Sequence, residues 1–91
     1  MPLEDTQATS AIAGLDAVLE RFPGHTAVLH QLFQESSSFQ SLCEDYRDCL
    51  AALQYWQQEA SEDAPALSQS YAELLRELEE EVWQYLELAE V

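Results

Sequence analysis

Lysine is absent from the sequence. The chain has three arginines and 18 aspartate and glutamate residues, which gives a formal net charge of −15 at pH 7. Proteins bind phosphate backbones and anionic lipid surfaces through clustered Lys and Arg side chains. The composition therefore argues against direct binding to nucleic acids or to membranes. If the protein has a charged partner, that partner is expected to be a basic protein.

Long apolar runs are also absent. No stretch approaches the roughly 20 apolar residues that cross a bilayer, and the first residues lack the basic and apolar segments of a secretory signal. The only two cysteines are Cys43 and Cys49. In a helix this spacing separates the two residues by about 9 Å along the axis and points their side chains in different directions. They therefore cannot form a disulfide with each other. These features indicate a cytoplasmic protein whose cysteines are small apolar residues of the core or its flank.

Glycine and proline are few, with two and three residues, and they help divide the chain into helical segments. A chain of 91 residues is long enough for one domain, which we expect over residues 9–91, after a disordered or frayed segment at residues 1–8. The first helix is predicted from Thr9 to Arg21, because Pro23 and Gly24 follow it. Its apolar stripe comprises Ala8, Ile12, Leu15, Leu19 and Phe22.

Three further helices are predicted. A short one covers about residues 25–35, and the serines at 36–38 end it and offer an N-cap to the next helix. The third helix has a heptad pattern formed by Phe39, Leu42, Tyr46, Cys49, Leu53 and Trp56. The last helix, about residues 65–90, has Pro65 in its first turn and repeats the pattern in Tyr71, Leu75, Leu78, Val82, Tyr85 and Ala89.

Two apolar seams joined by a short loop predict an antiparallel hairpin of the two long helices. A turn near Glu62 would pair Phe39 with Tyr85, Leu42 with Val82, Tyr46 with Leu78, Cys49 with Leu75 and Leu53 with Tyr71. The same register predicts the ion pairs Arg47–Glu77 and Asp48–Arg76. The expected fold class is all-α, a three- to four-helix bundle in which two shorter N-terminal helices pack on the hairpin. The alternative is a homodimer in which two hairpins cover each other.

Two short motifs lie between Phe22 and Leu53. One is a Phe-Pro pair with a following histidine, and the other is an F-x-x-L-x-E-D-Y run; together they comprise Phe22, Pro23, His25, Phe39, Leu42, Glu44, Asp45 and Tyr46. In these motifs the chain resembles the YdcH-like family of small bacterial helical hairpin proteins. It departs from that family at Gly24, where the family tends to be acidic, and in the acidic helix beyond Ala64. The resemblance implies a small cytosolic bacterial protein built on a helical hairpin and implies no catalytic residue.

The sequence contains no pattern of residues typical of a catalytic or metal site. A di-iron bundle requires Glu-x-x-His pairs, and neither His25 nor His30 has a glutamate three residues before it. The patterns of calcium loops and zinc clusters are missing, and the acidic neighbours of Cys43 oppose formation of a thiolate. We interpret His25 as a turn or cap residue and His30 as a solvent-facing one. The prediction is that the protein is not an enzyme and holds no metal or cofactor.

The last helix carries the densest charge in the chain, at Glu77 and at Glu79–Glu81. This cluster is either a solvated face that keeps the protein soluble or an acidic docking surface. Trp83 lies about a quarter turn from the seam, where it packs under the N-terminal helices or is exposed at an interface. The candidate partner-binding residues are Trp83, Glu79, Leu86, Tyr55, Glu77 and Glu80.

The function predicted from these features is a small acidic helical protein-interaction module, which would be an adaptor or a regulatory protein. The alternative is a nucleic-acid mimic or inhibitor that binds a basic protein. An enzyme or a metal-binding bundle is the third and least favoured interpretation.

Overall fold

The computed structural model is all-helical and describes the backbone of residues 2–90 and the side chains of residues 11–90. It contains α1 (Pro2–Arg21), α2 (Thr26–Glu35), α3 (Ser37–Gln58) and α4 (Ala64–Glu90), with a 3-10 turn at Pro23–His25 between α1 and α2. No strand occurs within residues 2–90, so the predicted all-α class is confirmed. Over the same range, none of the helices combines the length and apolar character needed to cross a membrane.

The helix boundaries lie near the predicted helix-breaking and capping residues, except at the N-terminus. Helix α1 ends at Arg21, because Pro23 disfavours helical geometry in Phe22. Ser36 separates α2 from α3, since its side chain accepts a hydrogen bond from the Phe39 backbone N–H at 3.1 Å. Helix α1 begins at Pro2, seven residues before Thr9. The expectation that residues 1–8 are disordered or frayed stays a prediction.

Helices α3 and α4 touch at successive points along their lengths. The Phe39 ring lies edge-on to the Tyr85 ring, with centroids 5.2 Å apart. The Tyr46 hydroxyl donates to Glu79, the neighbour of the predicted Leu78. The Cys49 thiol lies 3.3 Å from the Tyr71 carbonyl oxygen, one helical turn before the predicted Leu75. The seam residues predicted for α3 that are buried are Phe39, Leu42, Tyr46, Cys49 and Leu53.

The two predicted ion pairs are not among those that the described side chains form. Arg47 contacts its neighbour Asp48 at 3.6 Å instead of Glu77. The predicted pairs are therefore wrong. With 18 carboxylates in the chain, an exposed arginine has several partners within reach, and each such pair contributes at most about 1 kcal/mol. A helix register alone does not decide between them.

The face that α1 turns to the core matches its predicted apolar stripe only in part. Leu15 of that stripe is buried, but Ile12 is 52 % exposed, and Ala11 and Val18 are buried although the stripe did not include them. The reason is a close approach of α1 to α3 at Gly14. A Cβ atom on Gly14 would overlap the Cys43 carbonyl oxygen and lie 2.5 Å from the carbonyl carbon. Because only glycine permits this approach, α1 is oriented with Gly14 against α3.

All four helices contribute to one hydrophobic core. Its side chains with the least exposure include Val18 from α1, Leu29 from α2, Phe39 from α3 and Val82 from α4, each with no exposed surface. They belong to a single cluster of buried residues. Helix α2 therefore lies close enough to α4 to shape its surface, which is where the candidate site lies.

Candidate partner-binding surface

Trp83 lies at the corner where the 3-10 turn meets α4. Its ring packs edge-on against Phe22, with centroids 5.1 Å apart, and against His25 at 5.3 Å. The indole nevertheless remains 44 % exposed. The structure thus combines both interpretations of Trp83, because one part of the ring packs on the N-terminal segment and the other part faces solvent.

Glu79 forms hydrogen bonds within the fold. Its side chain is only 16 % exposed and its Oε2 atom accepts hydrogen bonds from Arg21 Nε at 3.0 Å and from the Tyr46 hydroxyl at 2.9 Å. Burial, and secondarily the hydrogen bond to Glu79, raise the pKa of the Tyr46 phenol. The phenol therefore stays a hydrogen-bond donor well into the alkaline range. Glu79 joins α1, α3 and α4 and is not available to a partner.

The other predicted site residues are dispersed. Leu86 is buried, with 1 % exposure, whereas Glu77 and Glu80 are exposed. Tyr55 is also exposed and packs edge-on against Trp56 at the end of α3. Trp83 lies 19 residues into α4, about 28 Å along the helix from its beginning. The structure therefore does not bring Tyr55 and Trp83 into one site.

One exposed flank of α4 combines two residues of the predicted acidic cluster with two leucines that the sequence analysis did not single out. We define the α4 flank as Leu74, Glu77, Glu81 and Leu88, all of which are exposed. Leu74 is 43 % exposed and Leu88 is 80 % exposed. The signal in the sequence was the recurrence of Leu74, Glu81 and Leu88 every seven residues, outside the apolar seam.

A groove lies at each end of the α4 flank, and both grooves have apolar and acidic lining residues. The α3–α4 groove, about 360 Å³, has Leu74, Leu78, Tyr71, Ala52 and Cys49 among its lining residues. The α2–α4 groove has a similar volume, about 360 Å³, and its apolar lining consists of Val28, Leu32, Tyr85, Leu88 and Ala89. Such volumes fall at the lower end of the range of small-molecule pockets. Each groove has room for a large apolar side chain.

The charged residues that line these grooves are all acidic. Asp45 and Asp48 border the α3–α4 groove, and Glu35 borders the α2–α4 groove. Glu81 lines a shallow depression beside Leu88. An apolar surface with a rim of one sign of charge favours a partner of the opposite charge. A helix with basic residues beside its apolar face has that character.

The thiols and histidines are not arranged as a reactive centre. Burial, with a smaller effect from Glu44, raises the pKa of Cys43 to about 12, and burial also raises the pKa of Cys49. Both cysteines are free thiols. His25 Nδ1 lies 2.7 Å from Glu90 Oε2, and His30 is exposed, as predicted. Among residues 11–90, no three His, Cys, Asp or Glu side chains are placed to hold a metal ion.

Comparison of the chain with protein-family models, with curated proteins and with solved structures finds no match.

Proposed function

We propose that the protein is a small acidic helical interaction module, an adaptor or regulatory protein without enzymatic activity, that binds a cationic region of a protein partner. The observation that carries the proposal is the pair of grooves along α4, which combine apolar side chains with charged lining residues that are all acidic. Apolar side chains beside these grooves offer a partner contacts that remove apolar surface from water. The acidic rim selects the sign of the partner's charge.

The apolar content of the surface favours docking over nucleic-acid mimicry. A mimic would need carboxylates alone, spaced along one side like phosphates, whereas the α4 flank has leucine at both ends. Leu88 is 80 % exposed, so a partner that covers it removes apolar surface from water. Such a contact supplies binding energy that does not depend on charge.

The scaffold of this surface is part of the proposal. We propose that α3 and α4 form an antiparallel hairpin on which α1 and α2 pack, since Phe39, Tyr46 and Cys49 meet residues of steadily lower number along α4. Membership of the YdcH-like family is likewise proposed, because its motif residues Phe22 and Phe39 are buried in this core. The two free, buried thiols support a cytoplasmic location, where cysteines stay reduced.

Site-specific photo-crosslinking in the cell of origin tests the function. One variant replaces Leu88 with a photo-crosslinking residue, and a matched control replaces Ile12, which is 52 % exposed on α1 and lines neither groove. We expect one protein to be cross-linked from position 88 and not from position 12, through a segment rich in Lys or Arg. That protein, once purified, should bind the chain in isothermal titration calorimetry.

Two results would contradict the proposal. One is the same pattern of cross-linked proteins from both positions, and the other is a purified partner that does not bind or whose cross-linked segment is acidic. A salt series with the purified partner separates docking from mimicry. Docking on an apolar surface persists at about 0.5 M salt and in the presence of competing DNA, whereas mimicry is lost under both conditions.

A further inference from the structure

The α4 flank has the geometry of one side of a helix–helix contact. Leu74, Glu77, Glu81 and Leu88 are separated by three, four and seven residues, and these intervals place side chains on the same side of a helix. Residues seven apart on one helix meet residues seven apart on a neighbouring helix that runs alongside it. The exposed spacing therefore suits a helical occupant.

The distance between the two grooves sets the length of that occupant. Leu74 and Leu88 are 14 residues apart on α4, which corresponds to about 21 Å. A small molecule bound in one groove does not extend to the other. A partner helix of about four turns that lies along α4 reaches both, and an amphipathic helix in an apolar groove is a common mode of peptide recognition.

The charges on the flank select against a second copy of this chain. Glu77 and Glu81 lie between the two leucines, and a second copy docked through the same flank would place its own Glu77 and Glu81 against them. Like charges in such a contact are unfavourable. Lys or Arg side chains at the middle of a different helix would instead pair with these carboxylates.

We propose that the α4 flank is the docking site of a cationic amphipathic helix about four turns long. Apolar side chains near the two ends of that helix occupy the α3–α4 and α2–α4 grooves, and Lys or Arg side chains between them face Glu77 and Glu81. The proposal rests on the proposed function and specifies the chemistry and conformation of the partner.

Two synthetic fluorescent peptides test the proposal. Both have about 18 residues and the same composition of Leu, Lys and Ala. In the first, amphipathic peptide, Leu residues near the two ends share one helix face with Lys residues between them, and Ala covers the opposite face. In the second peptide the order is permuted so that Leu and Lys are distributed around the helix. Fluorescence anisotropy with the full-length protein at ~0.15 M salt should show about tenfold tighter binding of the amphipathic peptide.

Single substitutions locate the site. Leu74→Gln and Leu88→Gln should each weaken binding of the amphipathic peptide by about tenfold, because each removes an apolar contact. Ile12→Gln is the matched control, since it removes an exposed apolar side chain outside the grooves and should leave the affinity unchanged. The double variant Glu77→Gln, Glu81→Gln should weaken binding and reduce its dependence on salt. Circular dichroism checks that each variant is folded.

Several results would overturn helix docking. Equal binding of the two peptides, or unchanged affinity in both leucine variants, would show that charge alone attracts the peptide and would leave the cationic partner of the proposed function in place. Sedimentation as a dimer that Leu88→Gln dissociates would show that a second copy occupies the flank. No binding of either peptide would also overturn it, and the cross-linking experiment decides the proposed function independently.

Discussion

Substitution of Gly14 by alanine should destabilise the protein, although alanine is the better helix former. The added Cβ atom would overlap the Cys43 carbonyl oxygen, lie 2.5 Å from the carbonyl carbon and lie 3.2 Å from the Cys43 Cβ atom. The first two atoms belong to the backbone of α3, which cannot rotate away as a side chain can. Helix α1 must therefore move back from α3 and loosen the contacts of Leu15 and Val18, which are now buried.

The size of the effect follows from two opposing contributions. Overpacking of a core typically costs about 1–3 kcal/mol and occasionally more, and a clash with helix backbone belongs at the upper end. The higher helix propensity of alanine offsets about 1 kcal/mol of this cost. We expect a net loss of about 2 kcal/mol in the free energy of unfolding, which for a domain of this size lowers Tm by about 10 °C.

Urea unfolding followed by far-UV circular dichroism measures this loss, and Gly24→Ala is the matched control. A Cβ atom at Gly24 meets no atom within 4 Å, and neither glycine has a positive φ. Gly24→Ala should therefore be neutral or stabilising by up to about 1 kcal/mol, because alanine restricts the unfolded chain. If Gly14→Ala proved as stable as Gly24→Ala with an unchanged m value, the close approach of α1 to α3 would be refuted.

Three further predictions follow from the core and the charge of the protein. Tyr46→Phe should lower the free energy of unfolding by about 1–2 kcal/mol in urea titrations, because Glu79 loses a hydrogen bond; an unchanged value would mean that the bond contributes nothing. Because the pKa values of Cys43 and Tyr46 are raised in the folded protein, the unfolded chain releases these protons at lower pH than the folded protein does. The free energy of unfolding therefore keeps their full contribution below about pH 9 and declines as pH rises further. The decline is up to about 1.4 kcal/mol per pH unit for each group. Cys43→Ala should make this alkaline decline shallower in unfolding curves measured at several pH values, and an identical decline would remove Cys43 as a cause. Added salt should raise Tm, since it screens the repulsion that accompanies a net charge of −15; a Tm independent of salt in calorimetry would show that this repulsion is negligible.

The helical class and the buried face of α3 could be predicted from the sequence because both depend on local spacing. Phe39, Leu42 and Tyr46 recur at helical intervals, and all three are buried. The face of α1 could be predicted only in part, since Leu15 and Phe22 of the predicted stripe are buried but Ile12, which fits the stripe better than Gly14 does, is exposed. What decides the orientation is the absence of a Cβ atom at Gly14 opposite the Cys43 backbone, which is a tertiary relation.

The candidate site was predictable only in part for a similar reason. The spacing places Trp83 on a flank of α4, either packed under the N-terminal helices or exposed at an interface, and in the fold it contacts Phe22 and His25 while part of the ring stays exposed. Glu79 was expected to be available to a partner, but Arg21 and Tyr46 bind it inside the fold. Such capture depends on which side chains come together from helices distant in sequence, and no spacing along α4 encodes it.

Trp83 gives the protein an intrinsic spectroscopic probe of its own assembly. The indole touches the segment between α1 and α2 on one side and water on the other, so its emission wavelength changes when that segment separates from α4. Replacement of Trp56, the other tryptophan, by phenylalanine would leave Trp83 as the single tryptophan emitter. Detachment of the segment between α1 and α2 from α4 could then be followed in real time without any attached dye, and it could be distinguished from unfolding of the long helices.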